Sequence, residues 1–224
     1  IAKQVALDPK EVYVAEISSF QLDDIKDFRA EIAVLTNITE DHLDRYDYKF
    51  ENYINAKFKI IQNQTKDDYF IYCADDPVTA KYLKKLTLHS NPLPFTMKQE
   101  PQKGAIIKDG TMTIAVNDDK VTMSVDDFKI KGKHNQYNTM AAGIAAATLG
   151  IRKEKIREAV TTFESLEHAT DPTRMRVSAL PCWAVLQEMQ VIGIGRLARC
   201  AQCQSADGLG RARLESEQWG HIVS

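Results

Sequence analysis

The chain has 224 residues, 44% of them hydrophobic, and a formal net charge of −2. That is enough for one domain with a buried core plus part of another, and the balanced charge points to neither nucleic acid nor an anionic membrane as partner. No apolar run approaches the roughly 18 residues of a spanning helix, and four cysteines without a framework spacing suit a reducing, cytoplasmic setting. The start, Ile1-Ala-Lys-Gln-Val5, has no initiator methionine and no signal-peptide pattern, as in a chain cut in mid-sequence.

Glu11-Val-Tyr-Val-Ala-Glu-Ile17 reads as a strand rich in β-type bulk, and it delivers Glu16, Ser18 and Ser19 at its end. A carboxylate and two hydroxyls there could hold a hard cation; equally, a serine could cap a helix beginning near Phe20. A second apolar run, residues 32–37, leads into Asn37-Ile-Thr-Glu-Asp-His-Leu-Asp-Arg-Tyr46. In an open parallel sheet the carboxyl ends of strands are where ligands bind, although Thr39 or Asp41 could simply be an N-cap. Phe50 to Asn63 reads as a helix whose stripe is Ile54, Phe58 and Ile61. Lys57 falls at the margin of that stripe, where a lysine either snorkels or is used chemically.

Asp67 to Cys73 is a third strand, closed by Ala74-Asp-Asp-Pro77, with Pro77 suited to the first turn of a helix over 77–86. Short β runs over 105–108, 111–116 and 121–125 are separated by Asp109-Gly110 and Asn117-Asp118-Asp119. They predict a small antiparallel layer beside the main sheet. Gly132-Lys-His-Asn-Gln-Tyr-Asn138 opens an Ala-rich helix ending at Gly150. His134, Asn135 and Asn138 near the amino end of a helix make a fair place for a nucleotide, with Asn135 as a plain N-cap the competing reading. A last helix runs from Lys153 to Phe163.

Composition changes near His168. Residues 1–168 hold 19 Lys and 4 Arg; residues 169–224 hold no Lys and 6 Arg. The chain is therefore divided into 1–168 and a tail, 169–224, which suggests a different reading frame or a fusion. The tail is expected to pack poorly, with at most one helix near Trp183–Met189. Cys200-Ala-Gln-Cys203, with Cys182 and His221, offers zinc-type ligands without a second C-x-x-C pair. Val191-Ile-Gly-Ile-Gly195 lacks the third glycine of a dinucleotide fingerprint.

Glu16-Ile-Ser-Ser-Phe-Gln-Leu22, Asn37 to Tyr46, Ala56-Lys57, Ala74-Asp-Asp-Pro77 and His134-Asn-Gln-Tyr-Asn138 occur in the order and at the intervals of the Mur ligase central domain. Residues 1–168 resemble that family throughout. The resemblance implies an α/β fold: a mostly parallel sheet flanked by helices, similar to P-loop NTPases, with a small antiparallel addition and incomplete at both ends. It implies an ATP- and Mg2+-dependent, monomeric ligase of peptidoglycan synthesis. The wording around Phe20-Gln21 is most similar to the members that join D-glutamate to UDP-N-acetylmuramoyl-L-alanine through an acyl phosphate. Another Mur-type ligase, a folylpolyglutamate synthase, or a fragment that binds nucleotide weakly without catalysis are the alternatives.

Carried over by motif, Glu16 and His42 resemble the family's magnesium ligands, and Lys57 the lysine carried as a carbamate, an anionic oxygen ligand. His42 and Lys57 would then serve catalysis directly. Asn138 resembles the adenine-contacting asparagine, with Asn135 beside it and Ser18 and Ser19 positioning substrate or metal-bound water. Two departures stand out. No G-x-x-x-x-G-K-[ST] loop is present, the only Gly-Lys pair being Gly132-Lys133 before His134. After Ser165-Leu-Glu-His168 the family continues with arginine, whereas Ala169 stands here, and the later Asp-Ser-Lys-Ala-Thr segment is absent. The chain as written is therefore expected to lack full ligase activity.

Overall fold

The computed structural model describes residues 12–162, 191–195 and 222–223. Their strands form one mixed sheet. In chain order these are β1 (Tyr13–Glu16), β2 (Ile32–Leu35), β3 (Tyr69–Cys73), β4 (Asn91–Thr96), β5 (Gly104–Lys108), β6 (Thr111–Val116), β7 (Asp119–Ser124), β8 (Val191–Gly195) and β9 (Ile222–Val223). In space the order is β7-β6-β5-β4-β3-β2-β8-β1-β9. Strands β2 to β5 run parallel. Strand β8 is antiparallel to both β1 and β2, so β1 shares the direction of the parallel set.

Helices cover both faces, which is why β2 is buried at all four positions instead of alternating. On one face, α4 (Lys133–Thr148) and α5 (Lys153–Thr162) pack on Val14, Val34, Ile71, Cys73, Ile192 and Ile194. The small residues of α4, Ala141, Ala142, Gly143, Ala145 and Ala146, let its backbone lie close to the sheet. On the other face, α1 (Ser19–Asp23) and α2 (Phe50–Phe58) pack with Ala33, Leu35, Phe70 and Val191. There α3 (Pro77–Leu83) lays Tyr82 on Phe58, ring centroids 4.3 Å apart.

Pro77 stands in the first turn of α3, as expected, and Asp76 is its N-cap, accepting a hydrogen bond from the Thr79 amide at 2.8 Å. Asp76→Ala is expected to cost about 1 kcal/mol of unfolding free energy, measured by urea denaturation; an unchanged midpoint would show that the cap contributes nothing.

The structure departs from the sequence reading in four places. The β runs from residue 104 to 124 give the expected antiparallel addition, but as a continuation of the main sheet and not as a layer beside it. Strand β5 pairs parallel with β4, and β6 and β7 continue the same sheet as antiparallel hairpins. Strand β4 itself was not foreseen, because Pro92 and Pro94 in Asn91-Pro-Leu-Pro-Phe-Thr96 argue against a strand; the alternating burial of Leu93 and Phe95 outweighs them. The helix expected over 50–63 is α-helical only to Phe58 and closes in a 3-10 turn, Lys59–Ile61. Finally, Val191–Gly195 in the tail is a buried strand inside the sheet, not poorly packed chain. Gly193 permits this: a Cβ there would stand 3.0 Å from Ile17 Cδ1 and 3.1 Å from Phe28 Cζ. The expected helix near Trp183–Met189 and the zinc-type set Cys182, Cys200, Cys203 and His221 lie outside the described residues.

Candidate nucleotide and metal site

Because β1 to β4 run the same way, their carboxyl ends line one edge of the sheet, and the sequence motifs arrive there together. Glu16 is the last residue of β1, half-buried and level with Ile192 of β8. Just beyond it, the Ile17 amide donates to the Val191 carbonyl at 3.2 Å. Ser18 is the N-cap of α1, and its own amide donates to Gln21 Oε1 at 2.8 Å. Ser19 is buried. The helix start near Phe20 is thus a real cap, which does not remove Glu16 from the edge.

After β2 the chain passes Thr36 to Asp41 and enters a 3-10 turn, Leu43–Tyr46. His42 precedes that turn with φ of 48°, a left-handed conformation uncommon outside glycine and asparagine. Asp41 Oδ1 accepts from the His42 amide at 2.8 Å, and its other oxygen lies 3.5 Å from His42 Nε2. The His42 imidazole is exposed. The loops after β1 and β2 also meet directly, the Arg45 guanidinium standing 4.7 Å from the Phe20 ring centroid.

Lys57 does not snorkel. It is 4% exposed, on a helix face shared with Tyr53, Ala56 and Phe58. Its ammonium stands 4.9 Å from the Tyr53 ring centroid. Burial pushes its pKa down from 10.5 to about 8, against the opposing pull of the Asp41 carboxylate. Burial, with the Asp41 charge, pushes the Tyr53 phenol the other way, up to about 12. About a tenth of Lys57 is then neutral amine at pH 7, within the field of Asp41 on the loop that carries His42. Tyr53 has no role in the sequence reading, and Asp41 figures there only as a candidate N-cap within the polar stretch; Tyr53 lies four residues before Lys57 and therefore on its helical face.

The second half of the edge is built by β3, β4 and α4. The N-cap of α4 is Gly132, not Asn135, with φ of 104°. Asn135 lies inside the first turn and donates its Nδ2 to the Lys131 carbonyl at 2.8 Å. His134 is exposed. Asn138 is 6% exposed, and its Nδ2 has no hydrogen-bond partner among the described residues. Buried amide donors are nearly always paired, so this one marks a place for an acceptor. Ala74-Asp-Asp-Pro77 divides its labour: Asp76 caps α3, while Asp75 accepts from Thr96 Oγ1 at 2.7 Å, the Met97 amide at 2.7 Å and the Tyr137 hydroxyl at 2.8 Å. Burial alone would raise the Asp75 carboxyl; the Met97, Thr96 and Tyr137 donors outweigh it and hold the pKa below the ordinary value.

Among the described residues no group of three or more His, Cys, Asp or Glu stands close enough to hold a metal ion by itself. No helix among them is long and apolar enough to cross a membrane.

Comparison with known proteins gives this edge a context. Residues 2–146 match the family described as the Mur ligase middle domain. A protein of Christiangramia forsetii named UDP-N-acetylmuramoylalanine--D-glutamate ligase is 47% identical over 167 residues, which is 75% of this chain and 38% of that protein. A Bacteroides fragilis protein of the same name is 43% identical over 204 residues, 84% of this chain and 45% of that one. The chain thus spans less than half the length of these relatives. Among solved structures, MurF from Acinetobacter baumannii aligns with a TM-score of 0.47 at 17% identity, over 61% of this chain and 30% of that one. With most of its length matched to the middle domain and relatives above 40% identity, the chain belongs to the Mur ligase family.

Proposed function

We propose that this chain carries the ATP-handling middle domain of a cytoplasmic ligase that joins D-glutamate to UDP-N-acetylmuramoyl-L-alanine through an acyl phosphate, in peptidoglycan synthesis. The observation that carries the nucleotide part is the Asn138 amide, buried and with an unpartnered Nδ2, near the positive end of a 16-residue helix that reaches the ligand-binding edge. An amide side chain meets adenine well, donating to N7 and accepting from the exocyclic amine. Asn135, tied to Lys131, shapes the turn beside it.

The metal part is supported by donor chemistry. Mg2+ takes one or two carboxylates and completes its shell with water and phosphate oxygens, so a full protein cage is not required. Glu16 supplies one carboxylate. Lys57 supplies a second once its neutral amine attacks CO2 and releases a proton, and the lowered pKa favours that step. His42 stands on the neighbouring loop as a weaker ligand through its imidazole, and Ser18 and Ser19 orient water or substrate at the end of β1. When bound, Mg2+ would screen the charge between the nucleotide and the substrate carboxylate.

Calorimetric titration of the 224-residue chain with ATP and Mg2+ tests the reading. Asn138→Ala should weaken ATP at least about ten-fold, the worth of a buried hydrogen bond, and should abolish preference for ATP over GTP. No binding by the unsubstituted chain, or equal binding by both chains, would refute it.

A further inference from the structure

We propose that Asp75 and Tyr137 form a positioning pair that sets the orientation of Asn138, and through it the affinity and base selectivity of the nucleotide site. The inference rests on the nucleotide reading above but concerns residues that neither contact nor ligate anything in it.

The geometry is specific. Asp75 lies just past the end of β3, where the Ala74 amide donates to the Phe95 carbonyl at 3.0 Å and fixes the chain against β4. One Asp75 oxygen takes the Thr96 hydroxyl and the other takes both the Met97 amide and the Tyr137 hydroxyl. Three donors from the end of β4 and from α4 therefore converge on one carboxylate. Tyr137 is the residue before Asn138, and its ring leans on Phe95 with centroids 6.2 Å apart. Burial and the Asp75 charge hold the Tyr137 phenol strongly toward its protonated form, so it remains a donor across the working range of pH.

Asn138 has no comparable anchor on its Nδ2. Its direction is set by the rotation of α4 about its axis and by the position of the second helical turn. The Tyr137–Asp75 hydrogen bond is the polar tie between that turn and the strand ends that build the edge. A charge-assisted bond of this type is short and directional, and it spans 62 residues of sequence. The alternative is a purely structural tie. It predicts lost stability without a change in which base is preferred.

Tyr137→Phe separates the two. It keeps the ring against Phe95 and removes only the donor. We expect its thermal midpoint to stay within a few degrees of the parent chain, ATP affinity to fall roughly five- to ten-fold, and the ATP-to-GTP preference to shrink by a similar factor. Asp75→Asn, which keeps shape and loses charge, should fall in the same direction. Restoration by Asp75→Glu is not expected, because the longer side chain moves the acceptor. Binding that Asn138→Ala weakens while Tyr137→Phe leaves affinity and base preference intact would overturn this inference alone. A parent chain that binds no ATP would overturn it together with the nucleotide reading.

Discussion

Gly104→Ala is expected to lower the unfolding free energy by about 3–5 kcal/mol, enough to leave a domain of ordinary stability largely unfolded under mild stress. Two costs coincide at this position. Its φ is +119°, a region that L-residues rarely adopt. A methyl group there would also fall within the contact radius of the Pro94 carbonyl oxygen and 3.0 Å from the carbonyl carbon, both rigid backbone atoms. Gly104 opens β5 at the parallel seam with β4, so moving away would break the junction between the parallel half of the sheet and the β5–β7 hairpins. Gly110→Ala provides the control. It has a positive φ of 71° but open space around it, and should cost only about 1 kcal/mol. Urea unfolding of the two variants against the parent decides the matter; equal midpoints for Gly104→Ala and Gly110→Ala would show that the close approach to Pro94 is not there.

Lys57→Met is expected to make the protein more stable and the site inert. The folded pKa of about 8 lies below the ordinary 10.5. The unfolded chain therefore binds more protons between those values, and stability rises with pH across that window. Below it the lysine is charged in both states, and its burial costs on the order of 3 kcal/mol. Methionine fills the same space without the charge. At pH 7, in bicarbonate-free buffer, Lys57→Met should gain about 1–3 kcal/mol, and its stability should no longer climb between pH 8 and 10.5. The parent is expected to give a carbamate carbon signal with 13C-bicarbonate, and the same substitution should remove it. Parallel pH–stability curves for the two chains would contradict the burial of Lys57, and a carbamate signal persisting in Lys57→Met would place the modification elsewhere. A residue that destabilises the fold and is nevertheless buried beside the ligand-binding edge is the pattern expected where chemistry, not packing, explains the side chain.

The motif-bearing strand ends were legible because each reading rested on local pattern: an apolar run followed by an abrupt cluster of polar side chains. The same locality explains what was missed. Lys57 looked marginal on a helical stripe, since a wheel shows only which side a residue faces; in the fold it is buried with its ammonium over the Tyr53 ring. Asp75 stood in the sequence only as part of Ala74-Asp-Asp-Pro77 closing a strand, and its role depends on Tyr137, 62 positions away. Strand β4 was hidden by its prolines, whose missing donors can be tolerated when alternate residues are well buried. Strand β8 was hidden by its company. Read among glycines, arginines and cysteines of unfamiliar composition, Val191-Ile-Gly-Ile-Gly195 gave no reason to sit between two strands from the other end of the chain.

That last placement governs the order in which the molecule can be made. Strands β2 to β7 are neighbours in space and nearly in sequence, and can assemble as soon as residue 162 has left the ribosome. Strand β1 has no direct pairing with β2, because the place between them is held by β8, about 175 residues after β1. Until Val191 emerges, the nascent chain carries an open apolar edge on β2 and a stranded β1 with Glu16 at its tip. The edge that carries Glu16 is therefore completed only once β8 has been made. A chain stalled before β8 would expose the β2 edge to pairing with another copy.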